Sequence, residues 1–457
     1  MKVNSEIFRA YDIRGIVDEE LTEEGIFYIG KGLGSYVLSE GRKSLLTARD
    51  GRITGPRLLK HFHKGVMSSG CNVIDIGEVP TPLLYFSTFV TNISDGVILT
   101  GSHNPKNYNG LKIVIDRKSM TSEKIKRIKL IIDEENYLEG SGHISSLDIK
   151  KDYLAEVKNK IKISSNIKVC LDCGNGVGGV IAPQAFKLSG IEVIELHTEV
   201  DGNFPNHHPD PSDPKNLEDL QNKVLETNSD LGIALDGDGD RVGLVDNKGK
   251  IVFPDMYMIL LAEDVLKKNS EGNIVYDVKC STILEKKIKD FNGTPVMSRT
   301  GHSYIKSKIM ETNALLGGEM SGHIFFNDDW YGFDDAIYSA LRLIEILSRK
   351  KFTSNEIFES YPTNYATPEI NLKVTEQKKF KIIDEIKPMF KNKNYKLIDI
   401  DGIRLESKNS WGLVRASNTS PNLVLRFEGK TEKDLLEIKN YFKEILSKID
   451  FDLQLDF

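Results

Sequence analysis

Cysteine, long apolar runs and an excess of either charge are what this sequence lacks, and each absence closes a class. Four cysteines in 457 residues cannot form a disulfide framework. The best apolar run, Met256 to Ala262, ends at Glu263 and Asp264, well short of a membrane span. The opening MKVNSEIFRAYDIRG has no apolar core of a secretory signal, so a cytoplasmic protein is expected. Lys and Arg number 61 against 67 Asp and Glu, a net charge of -6, so there is no global attraction to nucleic acid or to an anionic membrane. Any anionic ligand must be met by a local cluster. The 37 glycines and 15 prolines are too few and scattered for a collagenous or linker-dominated chain. What is present, 39% apolar and 28% charged residues, is ordinary for a soluble globular protein, and at roughly 150 residues per domain the length suggests about three domains.

Three stretches share one grammar. SLLTARDGRITGPRLLKHFHKGVMSSGCNVIDIG from Ser44, IKVCLDCGNGVGGVIAPQAFKLSGIEVIELH from Ile167 and NIVYDVKCSTILEKKIKDFNGTPVMS from Asn273 each read as strand, helix and strand. Gly70, Gly190 and Gly293 stand at the helix ends. Such βαβ units predict parallel pairing and an α/β layer architecture. Each is followed by strand, special loop and strand: DGVILT-GSHNPKNYNG-LKIVI, LGIAL-DGDGDR-VGLVD and ALLG-GEMSG-HIFF. One position in three similar domains thus carries three chemistries. From about 363 the pattern changes to a smaller α+β domain, with strands predicted at Ile370–Val374 and Lys396–Ile400, a helix over Glu376–Phe390, two strands flanking RASNTSP and a final helix to about Ile449. Turn-rich linkers are expected near 139–146, 247–255 and 361–369. The Lys-rich stretch 373–396, with acids interleaved, reads as a solvated helix face.

The loops carry the chemistry. Ser102 follows an apolar strand among Gly101, His103, Asn104 and Pro105, a composition that exposes a hydroxyl or simply makes a turn. No G-x-S-x-G elbow supports a hydrolase triad. In DGDGDR, glycines let Asp236, Asp238 and Asp240 converge, which calls for a hard cation such as Mg²⁺ or Ca²⁺. An EF-hand is excluded by Arg241 at the sixth position and Asn247 at the twelfth. Arg241 beside a metal suggests a phosphate between the two charges, so Ser102 and this loop read as metal-assisted phosphoryl transfer. GEMSGH brings Glu319 and Ser321 on one extended face for adjacent sugar hydroxyls, and His323 for proton movement. RASNTSP brings Arg415, Ser417, Asn418 and Thr419, a set suited to a phosphate dianion. Three competing signals are weaker. GNGVGG at 174–179, with Glu195 beyond it, fits a dinucleotide fingerprint and hence an oxidoreductase, but such glycines also serve close packing in any βαβ unit. Cys170 and Cys173 form a lone C-x-x-C read as buried thiols, and His207-His208 lies in a Pro-rich loop.

These loops in this order resemble the α-D-phosphohexomutase superfamily, and within it the bacterial phosphomannomutase/phosphoglucomutase group. The resemblance runs through FRAYDIRG at 8–15, GSHNPKNYNGLKIV at 101–114, DGNFPNHHPDP at 201–211 and DGDGDRVG at 236–243. It continues through DVKC at 277–280, GHSYIK at 301–306, GEMSGH at 318–323 and RASNTSPNLVLRFE at 415–428. It implies three mixed-sheet α/β/α domains and a TATA-box-binding-protein-like α+β domain around a central cleft: 1–147 with the phosphoserine, 148–250 with the metal, 251–362 for the sugar and 363–457 for the non-reacting phosphate. It further implies a phosphoserine at Ser102, Mg²⁺ held by Ser102, Asp236, Asp238 and Asp240, and phosphoryl transfer between O1 and O6 of mannose or glucose phosphates, with hexose 1,6-bisphosphate as intermediate and activator. By motif match Arg14, Lys112 and Arg241 surround the transferring group, with proton transfer open between Arg14 and Lys112 and with His302 and His323 near the sugar; Tyr11 and Lys279 are additional ligands. Met320, where phosphoglucosamine mutases carry Gln, and Asn418-Thr419-Ser420, where they carry Gly-Thr-Glu, favour the mannose/glucose reading over that alternative. A monomer acting on small hexose phosphates is expected.

Overall fold

Parallel pairing, which the three βαβ stretches require, is present in each of them. The computed structural model describes residues 3–9, 12–390, 394–418, 420–449, 453 and 455, so Tyr11 and Thr419 lie outside the described residues. Ser44–Arg49 pairs in parallel with Asn72–Glu78 across the helix Gly55–Ser68. Lys168–Asp172 does so with Glu192–Leu196 across Ala182–Leu188, and Gly272–Asp277 with Gly293–Ser298 across Thr282–Asp290. The strand–loop–strand stretches that follow are antiparallel hairpins: Gly96–Leu99 with Tyr108–Ile115, Leu231–Leu235 with Val242–Asp246, and Leu316–Gly318 with Ile324–Phe326. In all three sheets the order is the same: second hairpin arm, first hairpin arm, first and then second strand of the βαβ unit. The three special loops therefore leave their sheets at equivalent places, beyond the carboxyl ends of strands, where open α/β sheets bind ligands.

The C-terminal sheet is wholly antiparallel, ordered Tyr365–Ala366, Asn422–Gly429, Ser410–Ala416, Ile403–Glu406 and Lys396–Ile398, with Ile370–Lys373 also on Asn422–Gly429. Two helices cover it, and the second, Glu432–Leu446, starts at a Thr431/Asp434 capping box that satisfies its first amides. The expected helix over 376–390 stops at Ile386 and tightens into a turn at Lys387–Met389, because Pro388 has no N–H to continue the ladder. All three expected linkers contribute an edge strand: Ile144–Ser146 to the first sheet, Ile251–Val252 to the second and Tyr365–Ala366 to the C-terminal one.

One core runs through the three α/β units. Its centre is the helix Ala336–Ser348, every residue of which is buried, as a helix apolar on most sides must be. Trp330 lies flat on Tyr338 at 4.1 Å and on Phe86 of the first unit at 6.0 Å, so the units are packed together rather than tethered. No helix among the described residues is long and apolar enough to cross a membrane.

Candidate active site

The Ser102 loop is held by a buried clamp. Asp50 accepts hydrogen bonds from the Gly101 amide at 3.0 Å and the Thr100 hydroxyl at 2.8 Å. Arg52 donates to the carbonyls of Ser102 (2.9 Å), Asn104 (2.6 Å), Pro105 (2.6 Å) and Tyr108 (3.0 Å). Gly101 is required, since a Cβ there would stand 2.3 Å from the Arg52 guanidinium carbon. Clamped in this way, Ser102 takes a left-handed φ of +49° and turns Oγ toward the second unit, donating to Asp236 at 3.0 Å with His103 Nδ1 at 3.1 Å.

DGDGDR folds around its first aspartate, whose Oδ1 accepts the amides of Asp240 (3.0 Å) and Arg241 (3.1 Å) while Gly239 supplies a φ of +74°. A Cβ on Gly237 would lie 2.4 Å from the Ser102 carbonyl oxygen, so only glycine lets the two loops touch. Carboxylate oxygens of Asp236, Asp238 and Asp240 all fall within 4.8 Å of one another, fully buried. Lys112 Nζ donates to Asp238 at 2.7 Å and also contacts Asp240, and Thr81 donates to Asp238 at 2.6 Å. Beyond Lys112, Arg241 Nε stands 4.0 Å from Asp236 and His323 Nε2 stands 3.1 Å from Asp240. Burial and the charges of Asp240 and Asp238 hold the Asp236 carboxyl well above its ordinary range. Burial also opposes ionisation of Asp240, but Lys112 and His323 outweigh it and hold that group low. Asp238 Oδ1 is buried without a hydrogen-bond partner. A hard divalent cation fits this donor set.

The other loops close the cleft. The 319–323 segment is a tight turn, with φ +96° at Gly322, so Glu319 and Ser321 meet the cleft from a turn and not from the extended face expected. Glu319 accepts the Gly301 amide at 2.5 Å and lies 3.1 Å from His323 Nδ1, while His323 Nε2 lies 3.1 Å from Asp240. Carboxylates on both ring nitrogens overcome burial and raise His323 to about 9. His302 stacks on His323 at 5.6 Å and is pushed below its ordinary value by burial and by Lys306. Arg415 donates to Asp401 at 2.8 Å, and Asn418 donates to the Thr300 carbonyl at 3.1 Å. Lys279 is paired with Glu369 at 2.6 Å.

Arg14, Ser102, Lys112, Arg241, His302 and His323 line one cleft of about 210 Å³, together with Lys279, Glu319, Ser321, Arg415, Ser417 and Asn418. The three aspartates stand behind Ser102 and Lys112, out of the lining. Several participants escaped the sequence reading. Asp12 and Asn104 fix the Arg14 guanidinium at 2.6 and 2.7 Å, and both were visible only as neighbours inside motifs. Buried Asp334 accepts from Lys306 at 2.8 Å and lies 3.4 Å from His302. Lys379, expected on a solvated face, is instead 1% exposed and donates to the Ser417 and Ser420 carbonyls at 2.6 and 3.1 Å. No local signal separates it from its exposed neighbours. The GNGVGG glycines serve packing: a Cβ on Gly176 would meet Gly237 at 2.9 Å and one on Gly179 the Thr198 carbonyl at 1.9 Å. His207 bonds the buried Asp172 at 2.9 Å, and all four cysteines are free and buried.

Three repeated α/β units and an antiparallel fourth, converging on a cationic cleft backed by a carboxylate cluster, define a class of protein built to grip a small anion. The chain belongs to the phosphoglucomutase/phosphomannomutase family: models of its alpha/beta/alpha domains I, II and III match residues 5–139, 151–249 and 253–365, and that of its C-terminal domain matches 369–445. It is 48% identical to a phosphomannomutase/phosphoglucomutase of Pseudomonas aeruginosa over 99% of this chain and 97% of the relative. A phosphoglucomutase of Neisseria meningitidis is 41% identical over 96% of each. Among solved structures, a phosphoglucomutase/phosphomannomutase family protein from Burkholderia thailandensis superposes with a TM-score of 0.95 at 39% identity, each chain fully covered.

Proposed function

We propose that this protein is a phosphohexomutase that moves a phosphoryl group between O1 and O6 of mannose and glucose phosphates, with Ser102 as the carrier. The observation that carries the reading is the meeting of a clamped Ser102 Oγ with Asp236 at 3.0 Å in a cleft that also presents the Arg415 loop. Ser102, Asp236, Asp238 and Asp240 would hold Mg²⁺, which when bound neutralises charge on the transferring group. Hexose 1,6-bisphosphate would charge the serine. A sugar hydroxyl then attacks the phosphorus, the P–Oγ bond breaks, and the bisphosphate formed returns its other phosphoryl to Oγ after turning over. Arg14 and Arg241 orient the phosphoryl oxygens, and Lys112, kept charged by Asp238 and Asp240, is a fixed cation there. His302, held below its ordinary value, can accept the hydroxyl proton on its ring nitrogen, while His323 is kept protonated by its two carboxylates. Arg415, Ser417 and Asn418 bind the non-reacting phosphate, and Glu319 and Ser321 bind the hydroxyls.

Met320 is buried in the core and does not line the cleft, so its side chain does not separate mannose from glucose, which differ at C2. The four-part division of labour at 1–147, 148–250, 251–362 and 363–457, a monomeric state and a cytoplasmic location belong to the same proposal. The purified protein, given Mg²⁺ and glucose 1,6-bisphosphate, is expected to convert mannose 1-phosphate and glucose 1-phosphate to their 6-phosphates; conversion of neither, or a faster rate on glucosamine phosphates, overturns it.

A further inference from the structure

Ser102 and the aspartate cluster belong to different α/β units, so contacts between those units set their relative position. We propose that Phe204 is a positioning residue, a latch from the second unit whose ring holds Arg52, and through Arg52 the Ser102 loop, in register with the aspartates. The inference rests on the assignment of Ser102 as the phosphoryl carrier.

Four observations support it. The Phe204 ring lies over the Arg52 guanidinium at 5.3 Å, and Arg52 is the buried cation that donates to four carbonyls of the 102–108 segment. Phe204 has a left-handed φ of +51°, a conformation that a bulky aromatic adopts only when its surroundings impose it. The loop bearing it is fixed to its own unit: Asp201 donates its amide to the Asn175 carbonyl at 3.0 Å, and Asn206 donates to the Asn175 side chain at 2.8 Å. Finally, the two loops pass backbone to backbone. A Cβ on Gly202 would stand 2.6 Å from the Ile53 amide nitrogen and 2.7 Å from the Gly51 carbonyl oxygen. Neither Phe204 nor Arg52 lines the cleft, so the latch acts on the reacting serine without touching substrate.

Phe204→Gly separates function from folding, because glycine accepts the positive φ freely while the ring is lost. The expected result is a melting temperature within a few degrees of the parent, KM within about twofold, and kcat and the rate of Ser102 phosphorylation by glucose 1,6-bisphosphate each lowered about tenfold or more. Phe204→Tyr, which keeps the aromatic face, should retain the parental rates; Phe204→Leu, which fills space without that face, should not. Parental rates in Phe204→Gly, or full activity in Phe204→Leu, overturn the latch. Ser102→Ala run alongside distinguishes the two failures: if it still turns over, the assignment of Ser102 is wrong, and if it is dead while Phe204→Gly is unaffected, the latch alone is wrong.

Discussion

Ser102 is held against its own preference. A non-glycine residue at φ +49°, buried to 2% exposure, carries strain of roughly 1–3 kcal/mol that the Asp50–Arg52 clamp must offset. Such strain is tolerated where a group must be pre-aimed, and here the aim is toward Asp236. Removing the hydroxyl removes the proposed acceptor of the phosphoryl group, so Ser102→Ala should lower kcat by at least about 10³-fold with a near-parental melting temperature, as nucleophile deletions do elsewhere. Parental turnover in that variant would refute the role. At the opposite wall Arg415 is oriented by Asp401, which also accepts the Thr300 amide at 3.0 Å. Losing one charge-assisted contact to a phosphate costs about 1.5–3 kcal/mol, so Arg415→Ala should raise KM for mannose 1-phosphate roughly 10- to 100-fold, with a smaller change in kcat. Steady-state kinetics decide between that pattern and an unchanged KM.

At the scale of elements, three hairpin loops do the work, and two of them meet through glycine. Because a Cβ on Gly237 would press the Ser102 carbonyl, Gly237→Ala should separate serine from aspartate and lower kcat about tenfold or more without unfolding the chain. A second element carries a titration. Asp335 caps the buried helix Ala336–Ser348 by accepting the Tyr338 amide at 2.9 Å and the Tyr153 hydroxyl at 3.0 Å, and burial pushes its carboxyl from 3.8 up to about 7. Between these two values the unfolded chain has lost the proton and the folded chain keeps it, so this group's contribution to stability falls as pH rises through that window. Asp335→Asn keeps the cap and does not titrate; its stability relative to the parent should therefore rise from about pH 4 to pH 7, as read by urea melts. A flat difference would refute the shift.

The elements were legible in the sequence where a short rule governs them. The βαβ units followed from β-branched runs flanking helical stretches, and the aspartate loop from carboxylates alternating with glycines; the glycine expected at the helix end holds for Gly70 and Gly190, whereas Gly293 begins a strand and Asn292 takes the left-handed φ. What escaped was long-range: Arg52 reaches the 102–108 carbonyls and Asp334 reaches His302, pairings between positions with no common local pattern. Lys379 was misread because charge predicts exposure, whereas here the ammonium finds two buried carbonyls. Glu319 and Ser321, two residues apart, suggest a shared extended face, but the positive φ of Gly322 folds their loop into a tight turn.

For the whole molecule, a net charge of -6 conceals a division of sign. Arg14, Lys112, Arg241, Lys279 and Arg415 face a cleft whose floor is backed by buried carboxylates, the charge arrangement that the proposed pairing of a phosphorylated sugar with a divalent cation requires. A cation that binds only the folded protein stabilises it by mass action, about 2.7 kcal/mol at a hundredfold excess over Kd. Mg²⁺ should therefore raise the melting temperature and a chelator should reverse the change. Asp238→Asn should abolish the shift; a shift that survives would place the cation elsewhere. The central claim is that Ser102 carries the phosphoryl group, and peptide mapping by mass spectrometry tests it most directly. After incubation with glucose 1,6-bisphosphate and Mg²⁺, one phosphoryl group is predicted on Ser102, and glucose 1-phosphate should discharge it. Turnover with no phosphoryl group on Ser102, or with the group on another residue, would contradict the account.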